Sequence, residues 1–272
     1  MPAPNTISSD KLNRLIGTPA APVVIDVRNA EDFAADPRLI PASLRRSHSD
    51  ASGWSRNFTG RDVVAVCHHG AKLSEGTAAW LRHAGAEAVT LADGFEGWKA
   101  AGLPLVPAQR IPERDGEGRT IWVTRARPKI DRIACPWLIR RFIDPAAVFF
   151  FVAPAEVPGV ADRFGATPFD VENVFWSHRG ETCSFDTMIA EFGLSSPALE
   201  RLATIVRAAD TARLDLAAEA PGLLAASLGL SRMFSDDLKQ LDAGLLLYDA
   251  FYRWCRDATD ETHNWPSNKV KP

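Results

Sequence analysis

Two short β-branched runs, Val23-Val-Ile-Asp-Val27 and Val63-Val-Ala-Val66, constrain this chain most; apart from Asp26 both are apolar, without alternation. Such runs suit strands buried on both faces, as in a parallel sheet. Ala88 to Leu91 supplies a third, weaker run. Ser8-Ser9-Asp10 offers caps for a short helix with Leu12, Leu15 and Ile16 on one side. Ser74 offers a cap for a helix carrying Ala78, Leu81 and Arg82. Strands alternating with helices predict an α/β fold, a parallel sheet with helices on both faces and right-handed crossovers.

The chain has 272 residues, enough for roughly two domains. Ala101-Gly-Leu-Pro104 reads as a helix stop, and residues 107–119 are rich in Pro, Gly and charge. The expected organisation is a first domain over 1–108, a linker over 109–119, and a second domain over 120–272. That second domain reads as helix-rich α+β. Strands are expected at Thr120–Thr124 and Val148–Val152. A helix within Asp131–Phe142 shows Ile133, Trp137 and Leu138 on one face, with Pro136 in its first turn and Cys135 at its N-terminal edge. Ser196-Pro197 should start a helix over 198–209. Ser235-Asp-Asp237 should start a long one ending near Asp257, with Leu238, Leu241, Leu245, Tyr248 and Tyr252 on one face.

Hydrophobic residues at 46% and charged residues at 24% exclude a disordered or fibrous chain. The richest apolar run, Val148–Ala153, is far short of the roughly 18 residues of a membrane span. The N-terminal stretch has no basic region followed by an apolar one, so a cytoplasmic protein is expected. Cysteines 67, 135, 183 and 255 are isolated, which argues against a disulfide framework and against a zinc ribbon. Net charge is 0 over 1–108, +4 over 109–145 and −7 over 146–272. The basic block is either a solvated face or an attractor of anions.

Cys67 directly follows the second valine run and opens the loop His68, His69, Gly70, Ala71, Lys72, Leu73, Ser74 before a helix. N–H groups at a helix N-terminus favour an anionic sulfur and can cradle an anion or a persulfide. A cysteine after a buried strand is also an ordinary core residue. The surrounding motifs weigh against that: Asp26-Val-Arg28, Ile40-Pro-Ala-Ser-Leu44, Leu91-Ala-Asp-Gly-Phe-Glu-Gly-Trp98 and Ala101-Gly-Leu-Pro104. In this order, around a strand-Cys-loop-helix, they resemble the rhodanese family over residues 5–106. The resemblance implies a sulfurtransferase in which Cys67 becomes a persulfide without any cofactor, and in which Asp26 and Arg28 are a structural pair. The family often has Arg where Lys72 stands, and this loop is about one residue longer. Weak thiosulfate turnover is therefore expected.

In the second domain, Trp122–Phe142, Trp176–Asp186, Ile205–Asp210, Gly229–Met233 and Glu261–Trp265 resemble the C-terminal domain of ChrB-type chromate-resistance proteins. The resemblance implies a role in chromate response. Some members carry a DNA-binding domain where this chain is rhodanese-like, and no helix-turn-helix pattern is visible, so DNA is not an expected partner. His178, Glu181, Cys183, Asp210 and His263, with Asp186 nearby, are candidate ligands for a transition metal or zinc. A hydrogen-bonded polar core is the competing reading. Arg125, Arg127, Lys129 and Arg132 are candidates for binding an oxyanion such as chromate. Two functions stay open: a sulfurtransferase taking a small sulfur donor such as thiosulfate, or an oxyanion or metal sensor on a weak rhodanese scaffold. The sequence leaves oligomeric state open.

Overall fold

The computed structural model describes residues 5–261. Its first part runs β1 (Thr6–Ile7), α1 (Ser9–Leu15), β2 (Val23–Asp26), α2 (Ala30–Ala35), β3 (Arg38–Leu39), β4 (Ser43–Arg45), α3 (Ala51–Trp54), β5 (Asp62–Val66), α4 (Lys72–His83), β6 (Glu87–Leu91), α5 (Gly94–Ala100) and β7 (Val106–Pro107). Five strands form a parallel sheet in the order β1-β6-β5-β2-β4, so the strand that leads to Cys67 is central. Side chains alternate across that sheet. Val24, Val64 and Val66 join Leu12, Phe95 and Trp98 on one face. Ile25, Val63 and Ala65 join Trp54, Phe58, Ala78 and Leu81 on the other. This two-sided burial is why the strands read as unbroken valine runs.

The second part runs β8 (Ile121–Arg125), α6 (Asp131–Leu138), β9 (Val148–Val152), α7 (Val157–Phe164), β10 (Thr167–Pro168), α8 (Ser184–Glu191), α9 (Pro197–Asp210), α10 (Ala220–Met233) and α11 (Asp237–Asp257). A three-stranded parallel sheet, β10-β8-β9, is outnumbered by helices, as expected of helix-rich α+β. Ser196 caps α9 by accepting from the Leu199 N–H at 3.3 Å. Within the expected start Ser235-Asp-Asp237, Asp236 is the residue that caps α11, accepting from Leu238 and Lys239. Leu238 lies outside the expected apolar face, 51% exposed, and Gln240 is buried in its place.

Two local expectations fail in α6. The helix starts at Asp131, so Pro136 lies inside it rather than in its first turn, and Cys135 is fully buried rather than at an edge. Beyond Leu138 the chain continues as a π turn, Ile139–Ile143, instead of regular helix. The start is set by tertiary contacts. The Ile130 N–H donates to Ser227 Oγ, Tyr248 O–H donates to the Ile130 carbonyl at 3.0 Å, and Gln240 Nε2 donates to the Pro128 carbonyl.

One hydrophobic cluster includes Leu12, Ile16 and Trp98 together with Trp137, Phe142 and Tyr252. Gly17, at φ +80°, permits the approach: a Cβ there would stand 2.4 Å from Phe142 Cζ and 2.9 Å from Tyr252 Cε1. The polar stretch 109–119 is pinned by an Arg114–Thr120 bridge, an Asp115–Arg119 ion pair and an Arg110–Glu191 ion pair.

Candidate functional site

Cys67 sits one residue past β5, and α4 begins five residues later at Lys72. The Ala71 N–H donates to Cys67 Sγ at 3.2 Å, and Ser74 Oγ lies 3.1 Å from the same sulfur. Ser74 is therefore not the cap of α4. It lies in the first turn, fully buried, with its hydroxyl on the sulfur and on the Ala71 carbonyl. Phe95 and Glu96, in the first turn of α5, donate their free N–H groups to the carbonyls of Cys67 at 2.9 Å and His68 at 3.0 Å. Across those two trans peptides, the N–H groups of His68 and His69 face the opposite way. Gly70, at φ +68°, lies against the backbone of Leu91, Asp93 and Gly94. His68 has a buried Nδ1 without a partner among the described residues. His69, Ala71 and Lys72 are exposed, and Leu73 is half-buried.

Asp26 and Arg28 form a buried ion pair with a shortest contact of 2.6 Å. Arg28 also donates to the carbonyls of Asp36 and Arg38, and its guanidinium lies 3.7 Å above the Phe95 ring. Phe95 belongs to the turn that holds the Cys67 loop. The pair is thus tied to that loop through packing.

A second constellation lies in the second part of the chain. His178, in the stretch before α8, has its Nε2 3.5 Å from Asp131 Oδ2, 3.4 Å from Asp170 Oδ1 and 3.3 Å from Asp210 Oδ2. Asp131 opens α6, Asp170 follows β10 and Asp210 closes α9. The Ser184 N–H donates to Asp131 Oδ2 at 2.6 Å, and Ser184 Oγ–H to Asp170 Oδ1 at 2.8 Å. Arg125 and Arg132 each reach Asp170 Oδ2 at 3.4 Å. Hydrogen bonding to Asp170, with the charges of Asp131 and Asp210, pushes His178 up to about 9 against the effect of burial. Burial, then the charges of Asp210 and Asp170, push Asp131 well up. Burial opposes the ionisation of Asp170, but His178, Ser184, Arg132 and Arg125 outweigh it and hold its carboxyl down. Burial and the charge of Asp170 push Asp210 up.

Residues 8–101 match the family model of the rhodanese-like domain, and residues 122–255 that of the ChrB C-terminal domain. The chain joins a rhodanese-like domain to a ChrB C-terminal domain. Protein ChrB of Cupriavidus metallidurans is 36% identical over 155 residues, covering 56% of this chain and 46% of that protein. The chain thus spans about half the length of this curated relative. Among solved structures, a rhodanese-related protein from Thermoplasma volcanium is 22% identical, covering 38% of this chain and 97% of its own, with a TM-score of 0.33. A thiosulfate sulfurtransferase from Pseudomonas aeruginosa is 25% identical, covering 38% and 19%, with a TM-score of 0.32. No helix among the described residues is long and apolar enough to cross a membrane.

In the rhodanese-like domain, the residues singled out in sequence gather on one loop and its support. In the ChrB-type domain they scatter. Of the expected metal ligands, only His178 and Asp210 meet. Glu181 is exposed and outside the cluster. Cys183 is fully buried as the N-cap of α8, its N–H donating to Asp186 Oδ2, and burial pushes its thiol far up. Asp186 pairs with Arg207. His263 lies outside the described residues. Asp131 and Asp170 were missed: each is one acidic residue in a stretch whose chemistry looked basic or apolar. The expected oxyanion-binding set also divides. Arg125 and Arg132 face Asp170, while Arg127 bonds the Phe234 carbonyl and lies 3.8 Å from Asp237. Lys129 is half-buried. The four do not form a bare cationic rim.

Proposed function

We propose that the rhodanese-like domain is a sulfurtransferase and persulfide carrier with Cys67 as nucleophile, and that the ChrB-type domain commits it to the chromate response in the cytoplasm. The observation that carries this reading is the pair of groups on one sulfur, the Ala71 N–H at 3.2 Å and Ser74 Oγ at 3.1 Å. Both can donate to the thiolate that acts as nucleophile. With thiosulfate, the Cys67 thiolate attacks the outer sulfane sulfur. A bond forms between Sγ and that sulfur, the bond from it to the sulfonate sulfur breaks, and sulfite leaves with the electron pair. An acceptor thiolate or cyanide then attacks the terminal sulfur, and the Cys67 thiolate departs. Lys72, at the exposed start of α4, supplies a point charge near the donor rather than the two-pronged grip of an arginine.

The test has two arms. Mixed with thiosulfate and then cyanide, the full chain should release thiocyanate, and mass spectrometry should find one extra sulfur on Cys67 before cyanide is added. Cys67→Ser should lose both. In a chromate-sensitive bacterium, the parent chain should raise survival in chromate and Cys67→Ser should not. A parent chain that accepts no sulfur from thiosulfate or from a small-molecule persulfide overturns the enzymatic reading. Equal protection by parent and Cys67→Ser separates chromate response from sulfur transfer.

A further inference from the structure

We propose that Asp131, Asp170 and His178 bind a divalent metal ion of borderline hardness, such as manganese(II), iron(II) or zinc, with Asp210 on a fourth side. The three donor atoms all lie within 4.8 Å of one another. His178 Nε2 has three carboxylate oxygens around it, at 3.5, 3.4 and 3.3 Å. One imidazole N–H serves one acceptor well, at about 2.9 Å. Three acceptors, all longer than that and nearly equal, are more than one N–H can serve well. They match ligands around an ion: metal–donor arms of about 2.1 Å at tetrahedral angles place neighbouring donors about 3.4 Å apart.

A second observation points the same way. Asp131 is fully buried, and its Oδ1 has no hydrogen-bond partner among the described residues. Such an oxygen is costly to leave unmade, and a cation against the carboxylate removes the cost. The surroundings orient the ligands as outer partners of a metal do. The Ser184 N–H holds Asp131 Oδ2, Ser184 Oγ–H holds Asp170 Oδ1, and Arg125 and Arg132 hold Asp170 Oδ2.

Two carboxylates and one imidazole, with a third carboxylate alongside, select for manganese, iron or zinc over the thiophilic ions. Cys183 stays a neutral thiol, capping α8. The His178 side chain is 41% exposed, which opens the site to solvent on one side. Three protein ligands also leave a coordination position for a small ligand.

The full chain, stripped with a chelator, is titrated with manganese chloride and with zinc chloride by calorimetry. One equivalent should bind, and His178→Gln and Asp170→Asn should each weaken it at least about tenfold. Glu181→Ala, outside the cluster, should bind as the parent does. X-ray absorption of the zinc-loaded parent needs no variant: it should show only oxygen and nitrogen neighbours near about 2.1 Å, without sulfur near about 2.3 Å. A parent that binds neither ion overturns the site, as does a sulfur neighbour, or binding unchanged in folded His178→Gln and Asp170→Asn.

Discussion

Gly70 and Gly94 face each other so closely that a Cβ on Gly94 would stand 2.3 Å from the Gly70 nitrogen. The same Cβ would meet the Cys67 carbonyl oxygen at 2.4 Å and that of His68 at 2.8 Å, all backbone atoms that cannot swing aside. Gly94 also has φ +59°, which side chains rarely adopt. Gly94→Ala should therefore destabilise the chain by about 1–3 kcal/mol and displace the loop that carries Cys67. Urea unfolding and thiocyanate release should both fall. A variant as stable and as active as the parent would mean the two turns are not in contact.

Ser74 tests the cradle more gently. Ser74→Ala removes one hydroxyl from Cys67 Sγ and leaves the Ala71 N–H in place. Loss of a neutral hydrogen bond of about 1 kcal/mol lowers kcat/KM for thiosulfate about fivefold. Lys72→Arg should raise it. No change in Lys72→Arg would assign donor binding to backbone N–H groups alone.

Cys67 should be alkylated by iodoacetamide before the other thiols at neutral pH. Burial pushes Cys135 and Cys183 far up and Cys255 up to about 11, which keeps all three protonated. Peptide mapping after brief labelling reads the order. Cys183 or Cys255 appearing first would contradict it.

Arg28 holds Asp26, two carbonyls and the face of Phe95 at once. Arg28→Ala strands a buried carboxylate and should cost about 3–5 kcal/mol. Chemical denaturation measures it, and a loss below about 1 kcal/mol would mean the pair behaves like a surface one.

Asp36 gives a pH dependence of known sign. Hydrogen bonding from Arg38, opposed by burial and aided by Lys99, holds its carboxyl well below the ordinary 3.8. The folded pKa is lower than the unfolded one, so the stabilisation is present above 3.8 and is lost as pH falls from there towards the folded pKa. Parent and Asp36→Asn should differ in stability at pH 7 and at pH 5 by the same amount, with the gap closing in more acidic buffer. A gap that instead widens on acidification would reverse the assignment.

The rhodanese-like domain was legible because its information is local. Alternate residues of β5 go to opposite faces of the sheet, Val64 and Val66 to one cluster and Val63 and Ala65 to the other, so a single valine run already encodes a doubly covered strand. Cys67, its loop and the glycine turn at 94 are contiguous motifs whose spacing survives folding. What sequence could not place was the meeting of Asp131, Asp170, His178 and Asp210. They come from the start of α6, the end of β10, a loop and the end of α9, and nothing in a single sequence pairs positions that far apart. Glu181 and Cys183 looked better because they are near His178 along the chain. Chain proximity does not set direction, however: one points to solvent and the other caps a helix. Likewise, Arg125 and Arg132 read as free positive charge until Asp170, some forty residues on, was folded against them. Local pattern decides which faces a strand or helix buries, whereas convergence of polar groups depends on long-range packing, which only the tertiary structure supplies.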